Sequence, residues 1–352
     1  MNELTAYLLD AFGLGDGPAR LTPVARGAEG QVSLLECQSG RYAVKQPFVV
    51  PVGDSAGSAG WDGSGGPDDD AREAVVRREA GYLGQFARAG IAVPEPMAAR
   101  SGGYVVPVPS HLGGGVARLS RWVEGARPGP GQDPHRVAAE LGTLLGRLHA
   151  AAPLSAEPVG PWYRTVPATT VWADLVGRGV GQAWQPSMAA QRSELDRLGD
   201  LVRSAPRPAG PLVVGHRDLH PDNVLVDGDG RLVPVDWEDV GPMVPDRELA
   251  KVLVQWHVEG KRIDEPAVRH TLTAYRAAGG TGVVRALESF TMLVSGELNF
   301  LAERAAMSLD PGLGGQHVRH AVSEAQETLS WLPSVGTLER VLQIVHGETA
   351  GT

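Results

Sequence analysis

The run VVGHRDLHPDNVLVDGDGRLVPVDWED, from Val213 to Asp239, holds the densest chemistry of the chain. Two short apolar stretches, Val224-Leu225-Val226 and Leu232-Val233-Pro234-Val235, flank Asp227-Gly228-Asp229-Gly230. An Asp-Gly turn between β-prone runs predicts a hairpin, with Asp227 and Asp229 as turn formers. Asn223 stands just before the first strand and Asp236 just after the second, so both are expected at the hairpin's open end, facing the loop that carries Asp218. Three oxygen-bearing side chains, two of them carboxylates, then share one region. Hard ligands of this kind suit Mg²⁺, which takes few protein ligands and completes its shell with water and substrate phosphates. A carboxylate kept off the metal can orient a hydroxyl nucleophile and accept its proton.

Outward from this run, the chain reads as two unlike halves. Residues 21–50 give strand, glycine turn, strand and a further turn at Ser39-Gly40, which predicts an antiparallel sheet. Residues 51–70 are almost all Gly, Ser, Asp, Ala and Pro, too poor in apolar surface to offset the entropy of ordering, and read as a flexible loop. A helix is predicted over 71–89, and strands over 103–123 around HLGGG. Asp133 and Pro134 mark the start of a helix whose Val137, Leu141, Leu144, Leu145 and Leu148 form one stripe. Further helices are expected at 187–204, 246–259, 264–278, 281–308, 315–331 and 336–346, besides a short amphipathic one at the N-terminus. The expected fold class is therefore α+β: a small antiparallel-sheet lobe over 1–123, and a larger, mainly helical lobe over 124–352.

His216-Arg217-Asp218-Leu219-His220-Pro221-Asp222-Asn223, followed by Asp236-Trp237-Glu238-Asp239, resembles the catalytic loop and metal-binding segment of the aminoglycoside phosphotransferase family, a branch of the kinase-like superfamily. The resemblance implies a two-lobed protein-kinase-like fold and ATP with Mg²⁺ as cofactors. It makes Asp218 the catalytic base and Asn223 with Asp236 the metal ligands. His216 is read as a brace of the loop, His220 equally as a substrate contact or as a shaper of the turn with Pro221, and Asp222, Glu238 and Asp239 as substrate-side candidates. In the first lobe, Gly27-Ala28-Glu29-Gly30 resembles a reduced glycine-rich nucleotide loop, with Gly27 and Gly30 admitting phosphate to the backbone. Lys45 in Tyr42-Ala43-Val44-Lys45 is similar to the family's phosphate-binding lysine, with Glu79 as its implied partner and Glu73 as the competing choice. Arg121-Trp122-Val123 is similar to the hinge that binds the adenine edge. Two departures stand out: Arg217 and Asp222 occupy positions where many members have glycine, and Glu248 replaces an aspartate before Leu249, with an expected role of accepting backbone N–H groups of the catalytic loop.

What the resemblance implies is ATP-dependent phosphorylation of a hydroxyl on a small molecule, an aminoglycoside-type antibiotic being favoured over a sugar, an amino alcohol or a macrolide. The acceptor pocket is expected to draw acidic residues from 239–310, with Glu297, Asn299 and Glu303 as candidates. A protein kinase fits less well because D-F-G and A-P-E are missing, and a non-catalytic regulator would have lost a base or a metal ligand. Composition agrees. With 42% hydrophobic residues, a net charge of −9 and no membrane-length apolar run, the chain predicts a soluble, cytoplasmic protein. Its charge disfavours nucleic acid and anionic membrane while attracting a cationic substrate. The single cysteine, Cys37, excludes an internal disulfide framework. Gly53-Asp54-Ser55-Ala56-Gly57 fits the serine-hydrolase elbow pattern, but the Gly/Ser run after it cannot form the helix an elbow requires. His317, His320 and Glu324 would share a helix face, read as solvated rather than metal-binding.

Overall fold

Two residues, Gln38 and Ser39, reverse the chain between strands β2 (Gly30–Cys37) and β3 (Gly40–Pro47), and β1 (Arg20–Arg26) pairs antiparallel with β2 on the other side. The structure is a computed structural model and describes residues 2–26, 30–47, 69–129, 131–206 and 210–349. Gly27 and the Gly53–Gly57 pattern lie outside the described residues, as does 51–68 of the expected loop; Asp69 and Asp70 belong to helix α2 (Asp69–Arg88).

The chain divides into two units. The first comprises Met1–Ala126 with Asp227–Asp229 and Val233–Glu238; the second comprises Arg127–Val226, Gly230–Leu232 and Asp239–Thr352.

In the first unit, helix α1 (Glu3–Ala11) starts at Asn2, whose side chain accepts the Thr5 N–H at 2.8 Å and so caps the helix. Strands β4 (Pro96–Met97), β5 (Val105–Pro107) and β6 (Val116–Arg121) complete an antiparallel sheet of order β1-β2-β3-β6-β4, with β5 also on β6. Alternation of side chains puts Leu35, Tyr42, Val44, Ala117 and Leu119 on one face, where Leu8 and Leu9 of α1 and Phe12 just after it cover them. The core of this unit is thus a sheet with one helix sealing it, each large side chain contributing roughly 1.5–3 kcal/mol on burial.

The second unit contains α3 (Pro134–Ala151), β7 (Leu154–Ser155), α4 (Thr169–Arg178), α5 (Gln185–Ser204) and β8 (Leu212–Gly215). Strands β9 (Val224–Val226) and β10 (Leu232–Pro234) form the expected two-stranded ribbon, and β11 (Gly241–Met243) joins β8 and β7 in a small sheet. There follow α6 (Pro245–His257), strands β12 (Val258–Glu259) and β13 (Arg262–Ile263), α7 (Glu265–Ala277), α8 (Thr291–Met307), α9 (Gly315–Trp331) and α10 (Val335–Thr349). Helices α3 and α7 approach closely because Gly142 and Gly146 lack side chains: a Cβ there would lie 2.2 Å from Thr271 O and 2.5 Å from Tyr275 O. The expected helix over 281–308 is shorter than the sequence suggested. Gly279 takes φ +87°, Gly282 N–H donates to Tyr275 Oη at 2.6 Å, and regular helix begins only at Thr291. Among the described residues no helix is long and apolar enough to cross a membrane.

Candidate active site

Strand β8 delivers the chain to His216, and the next residue turns it sharply. Arg217 has φ +67°, and Asp236 has φ +60°; they are the two non-glycine residues in the left-handed region among those described. An L-residue there costs about 1–2 kcal/mol, so the surroundings must impose it. Around Arg217 they do. Glu248, at the start of α6, accepts the Arg217 N–H, the Arg217 guanidinium donates to the Asp239 carbonyl, and its charged plane lies 4.3 Å from the Tyr163 ring centre. Glu248 is itself fixed by His149 Nε2 at 2.8 Å, whose Nδ1 meets Tyr275 Oη at 2.7 Å. The backbone-accepting role expected of Glu248 is what the geometry shows. Its burial alone would raise the carboxyl's pKa, but the His149 bond and charge reverse that and hold it below the usual carboxylate range.

This brace presents Asp218 with every carboxylate oxygen engaged. Oδ1 receives Lys251 Nζ at 2.9 Å; Oδ2 receives Asn223 Nδ2 at 2.8 Å and has His220 Nε2 at 3.3 Å. Its N–H donates to His216 Nδ1 at 3.3 Å, consistent with His216 as a loop brace. Burial pushes Asp218 toward its neutral form, yet Lys251, followed by His220, outweighs it and holds the acid far below its ordinary value. A permanently ionised, triply held carboxylate can orient a hydroxyl and accept its proton.

Asn223 also donates to the Asp218 carbonyl at 3.0 Å. With both amide bonds made through nitrogen, its carbonyl oxygen is directed elsewhere, as a metal ligand requires. Asp236 offers a carboxylate whose side chain is 42% exposed. An amide oxygen and a carboxylate are each a ligand type that suits an ion such as Mg²⁺, which retains water and phosphate ligands. Among the described residues no cluster of three His, Cys, Asp or Glu offers an all-protein cage, and His320 pairs with Glu324 at 3.2 Å.

Two acidic groups share the neighbourhood of Asp218. Asp239 takes the Tyr163 hydroxyl at 2.5 Å; burial, and then the charge of Asp218, raise its pKa. Burial likewise pushes Glu297 up to about 7, Lys251 opposing and Asp218 adding. Asp222 is exposed and pairs with Arg127 at 3.0 Å, while Asn299 ties down the carbonyls of Trp162 at 2.9 Å and Thr165 at 2.8 Å, and Glu303 pairs with Arg304 at 3.0 Å. Asn299 and Glu303 are thus committed to structure, while Glu297 accepts one long bond, from Gln255 Nε2 at 3.4 Å.

In the first unit, Lys45 Nζ lies 2.8 Å from Asp236 Oδ1 and also bonds Glu238. Burial would lower the lysine's pKa, but Glu238 and then Asp236 raise it instead, so Lys45 stays charged. The expected Lys45–Glu79 pairing is not formed. Glu79 instead takes Arg118 Nη1 at 2.6 Å, because strand register sets Arg118 opposite Lys45 and brings its guanidinium to α2 first. Glu73, the competing choice, accepts the backbone N–H groups of Tyr104 and Val105 at 2.8 and 3.0 Å. Trp237, buried, packs on Phe86 of α2 with ring centres 5.2 Å apart, which fixes the segment carrying Asp236 and Glu238. Gly30 is required by the sheet, since a Cβ would lie 2.8 Å from Gln46 O. At the expected hinge, the Arg121 and Trp122 N–H groups are bound to Glu95 O at 2.8 Å and Arg41 O at 3.0 Å. Neither of these two N–H groups can then donate to an adenine.

Sequence reasoning missed Lys251 and Arg118. Lys251 lies one helical turn beyond Glu248, so the face that reaches the catalytic loop was legible; Arg118 needed the β3–β6 register.

The model of the phosphotransferase enzyme family matches residues 20–288. Among solved structures, a spectinomycin phosphotransferase in complex with ADP and spectinomycin is similar at TM-score 0.63 and 14% identity, over 99% of this chain and 98% of that one. A microcompartment-associated aminopropanol kinase is similar at TM-score 0.56 and 17% identity, over 97% of each chain. An amicoumacin kinase in complex with AMP-PNP and Ca²⁺ is similar at TM-score 0.55 and 15% identity, over 89% of each. At these identities the likeness shows a shared kinase-like fold. No curated protein sequence matches the chain.

Proposed function

Because this chain belongs to the phosphotransferase enzyme family, and is thus a small-molecule kinase, we propose that it transfers the γ-phosphate of ATP to a hydroxyl of a cationic small molecule, an aminoglycoside-type antibiotic being the favoured acceptor. The observation that carries this reading is the Asp218 carboxylate, held by Lys251, Asn223 and His220 and kept ionised. Phosphoryl transfer proceeds through a loose transition state, so a base of low proton affinity suffices when it is well aligned. Asp218 orients the acceptor hydroxyl and takes its proton. Asn223 and Asp236 would hold Mg²⁺, which neutralises triphosphate charge when bound. Lys45 contacts phosphate, and Val123 meets the adenine. Asp239 and Glu297, both electrostatically linked to Asp218, give the acceptor side a negative wall that favours ammonium-bearing substrates.

ADP release measured over a panel of aminoglycosides, sugars, amino alcohols and macrolides, with Asp218→Ala as control, tests the reading. Turnover confined to amine-bearing acceptors, falling at least ~100-fold in the control, is expected. Turnover with neutral sugars alone would contradict the substrate assignment.

A further inference from the structure

Five side chains of the first unit alternate in sign: Glu79, Arg118, Glu238, Lys45 and Asp236. Arg118 Nη1 lies 2.6 Å from Glu79 Oε2, Arg118 Nη2 lies 2.7 Å from Glu238 Oε1, and Lys45 bonds both Glu238 and Asp236. Lys45 and Arg118 stand directly opposite each other on β3 and β6. Two cations so placed repel unless an anion joins them. Glu238 is that anion, and its fit is incomplete. Oε1 is buried and close to Arg118, yet the approach is too oblique for a hydrogen bond. A planar carboxylate offers two coplanar oxygens to cations set on separate strands; a phosphate offers three in a tetrahedral array.

We propose that Lys45 and Arg118 together form a two-cation seat for a polyphosphate, and that Glu238 fills it as an internal stand-in which an incoming nucleotide displaces. The proposal rests on the nucleotide reading above and extends it to two residues. Arg118 becomes a phosphate-binding residue, with Glu79 anchoring it. Glu238 becomes an intramolecular competitor whose removal tightens binding. The seat is not sealed: the side chains of Lys45 and Glu238 are each 17% exposed and that of Arg118 14%, which leaves an approach for a ligand.

The test is calorimetric binding of ATP, of tripolyphosphate and of adenosine in the presence of EDTA, so that no metal ion mediates contact. Glu238→Gln keeps shape and removes the competing charge; ATP and tripolyphosphate are expected to bind about tenfold tighter than to the wild type, and adenosine equally. Arg118→Gln is expected to weaken ATP about tenfold, and Arg118→Lys to recover part of the loss. Unchanged or weaker ATP binding in Glu238→Gln overturns the proposal, as does unchanged binding in a folded Arg118→Gln. If Arg118→Gln does not fold, the Glu238→Gln titrations with ATP and tripolyphosphate decide. Failure of the nucleotide reading itself looks different: wild type and Glu238→Gln would both ignore ATP even with Mg²⁺ present, and the seat would fall with it.

Discussion

Lys251 Nζ lies 2.9 Å from Asp218 Oδ1 and 2.7 Å from the carbonyl of Arg217, so one buried ammonium on α6 ties the proposed base to the strained residue before it. Replacing it with a neutral side chain should loosen both. Lys251→Met leaves the Asp218 charge without its main counterion, at a cost on the order of 3 kcal/mol, the low end for a buried pair, since Asp218 is 27% exposed. Chemical denaturation measures that loss. Asp218 is held below its ordinary value chiefly by Lys251 against burial, so the variant's acidic limb of activity should move to higher pH. An unmoved limb would show that Lys251 does not set the charge state of the base.

Arg217 separates backbone strain from side-chain contact. At φ +67° glycine is unstrained and alanine is not, so Arg217→Gly should be more stable than Arg217→Ala by about 1 kcal/mol. Both lose the stack over Tyr163 and the bond to the Asp239 carbonyl, which makes their difference a clean reading of the backbone. Equal melting temperatures for the two variants would mean that the turn relaxes once arginine is removed.

Glu297 makes stability fall with rising pH. Its folded-state pKa is raised, so between about 4.5 and about 7 the native chain holds a proton that the unfolded chain has released. The stabilising contribution is complete below about 4.5 and is lost as pH climbs through about 7. Glu297→Gln should flatten that slope in denaturant titrations at pH 5 and 8. The same ionisation should strengthen capture of an amine-bearing acceptor, so KM should fall as pH rises through about 7 in the wild type and not in the variant. Parallel stability profiles would remove Glu297 from the titration.

Gly142 tests the packing of α3 on α7. Alanine normally favours a helix over glycine by about 1 kcal/mol. Here its Cβ would meet Thr271 O at 2.2 Å, so the helices must separate. Gly142→Ala should therefore destabilise, by roughly 1–3 kcal/mol, as overpacking does. A raised melting temperature would contradict the close approach.

Much of this was legible in the sequence, for identifiable reasons. Asp218, Asn223 and Asp236 carry fixed spacing around a hairpin, and the local Asn223–Asp218 bond follows from that spacing, whereas Lys251 and Glu248, which hold Asp218 and its turn, come from α6. The antiparallel sheet followed from the strand–turn–strand pattern read over 21–50, and α3 from its Asp133-Pro134 start. Pairings between distant segments were not legible. Glu79 was matched to Lys45 because nothing in the sequence reveals that Arg118 sits opposite Lys45. The start of α8 was misjudged because Gly279 and Gly282 interrupt an otherwise helix-compatible stretch for tertiary reasons, through Tyr275. The hinge was expected from resemblance, and the use of the Arg121 and Trp122 amides by Glu95 and Arg41 needed the fold.

Rapid-quench measurement of phosphoryl transfer from ATP to an amine-bearing acceptor, comparing wild type with Asp218→Asn, addresses the assignment of the base without intermediaries. Asparagine keeps the size and loses the proton-accepting charge, so the chemical step should slow at least ~100-fold while ATP affinity, measured separately, stays within about twofold. An undiminished chemical step in the variant would contradict the assignment of Asp218 as the base.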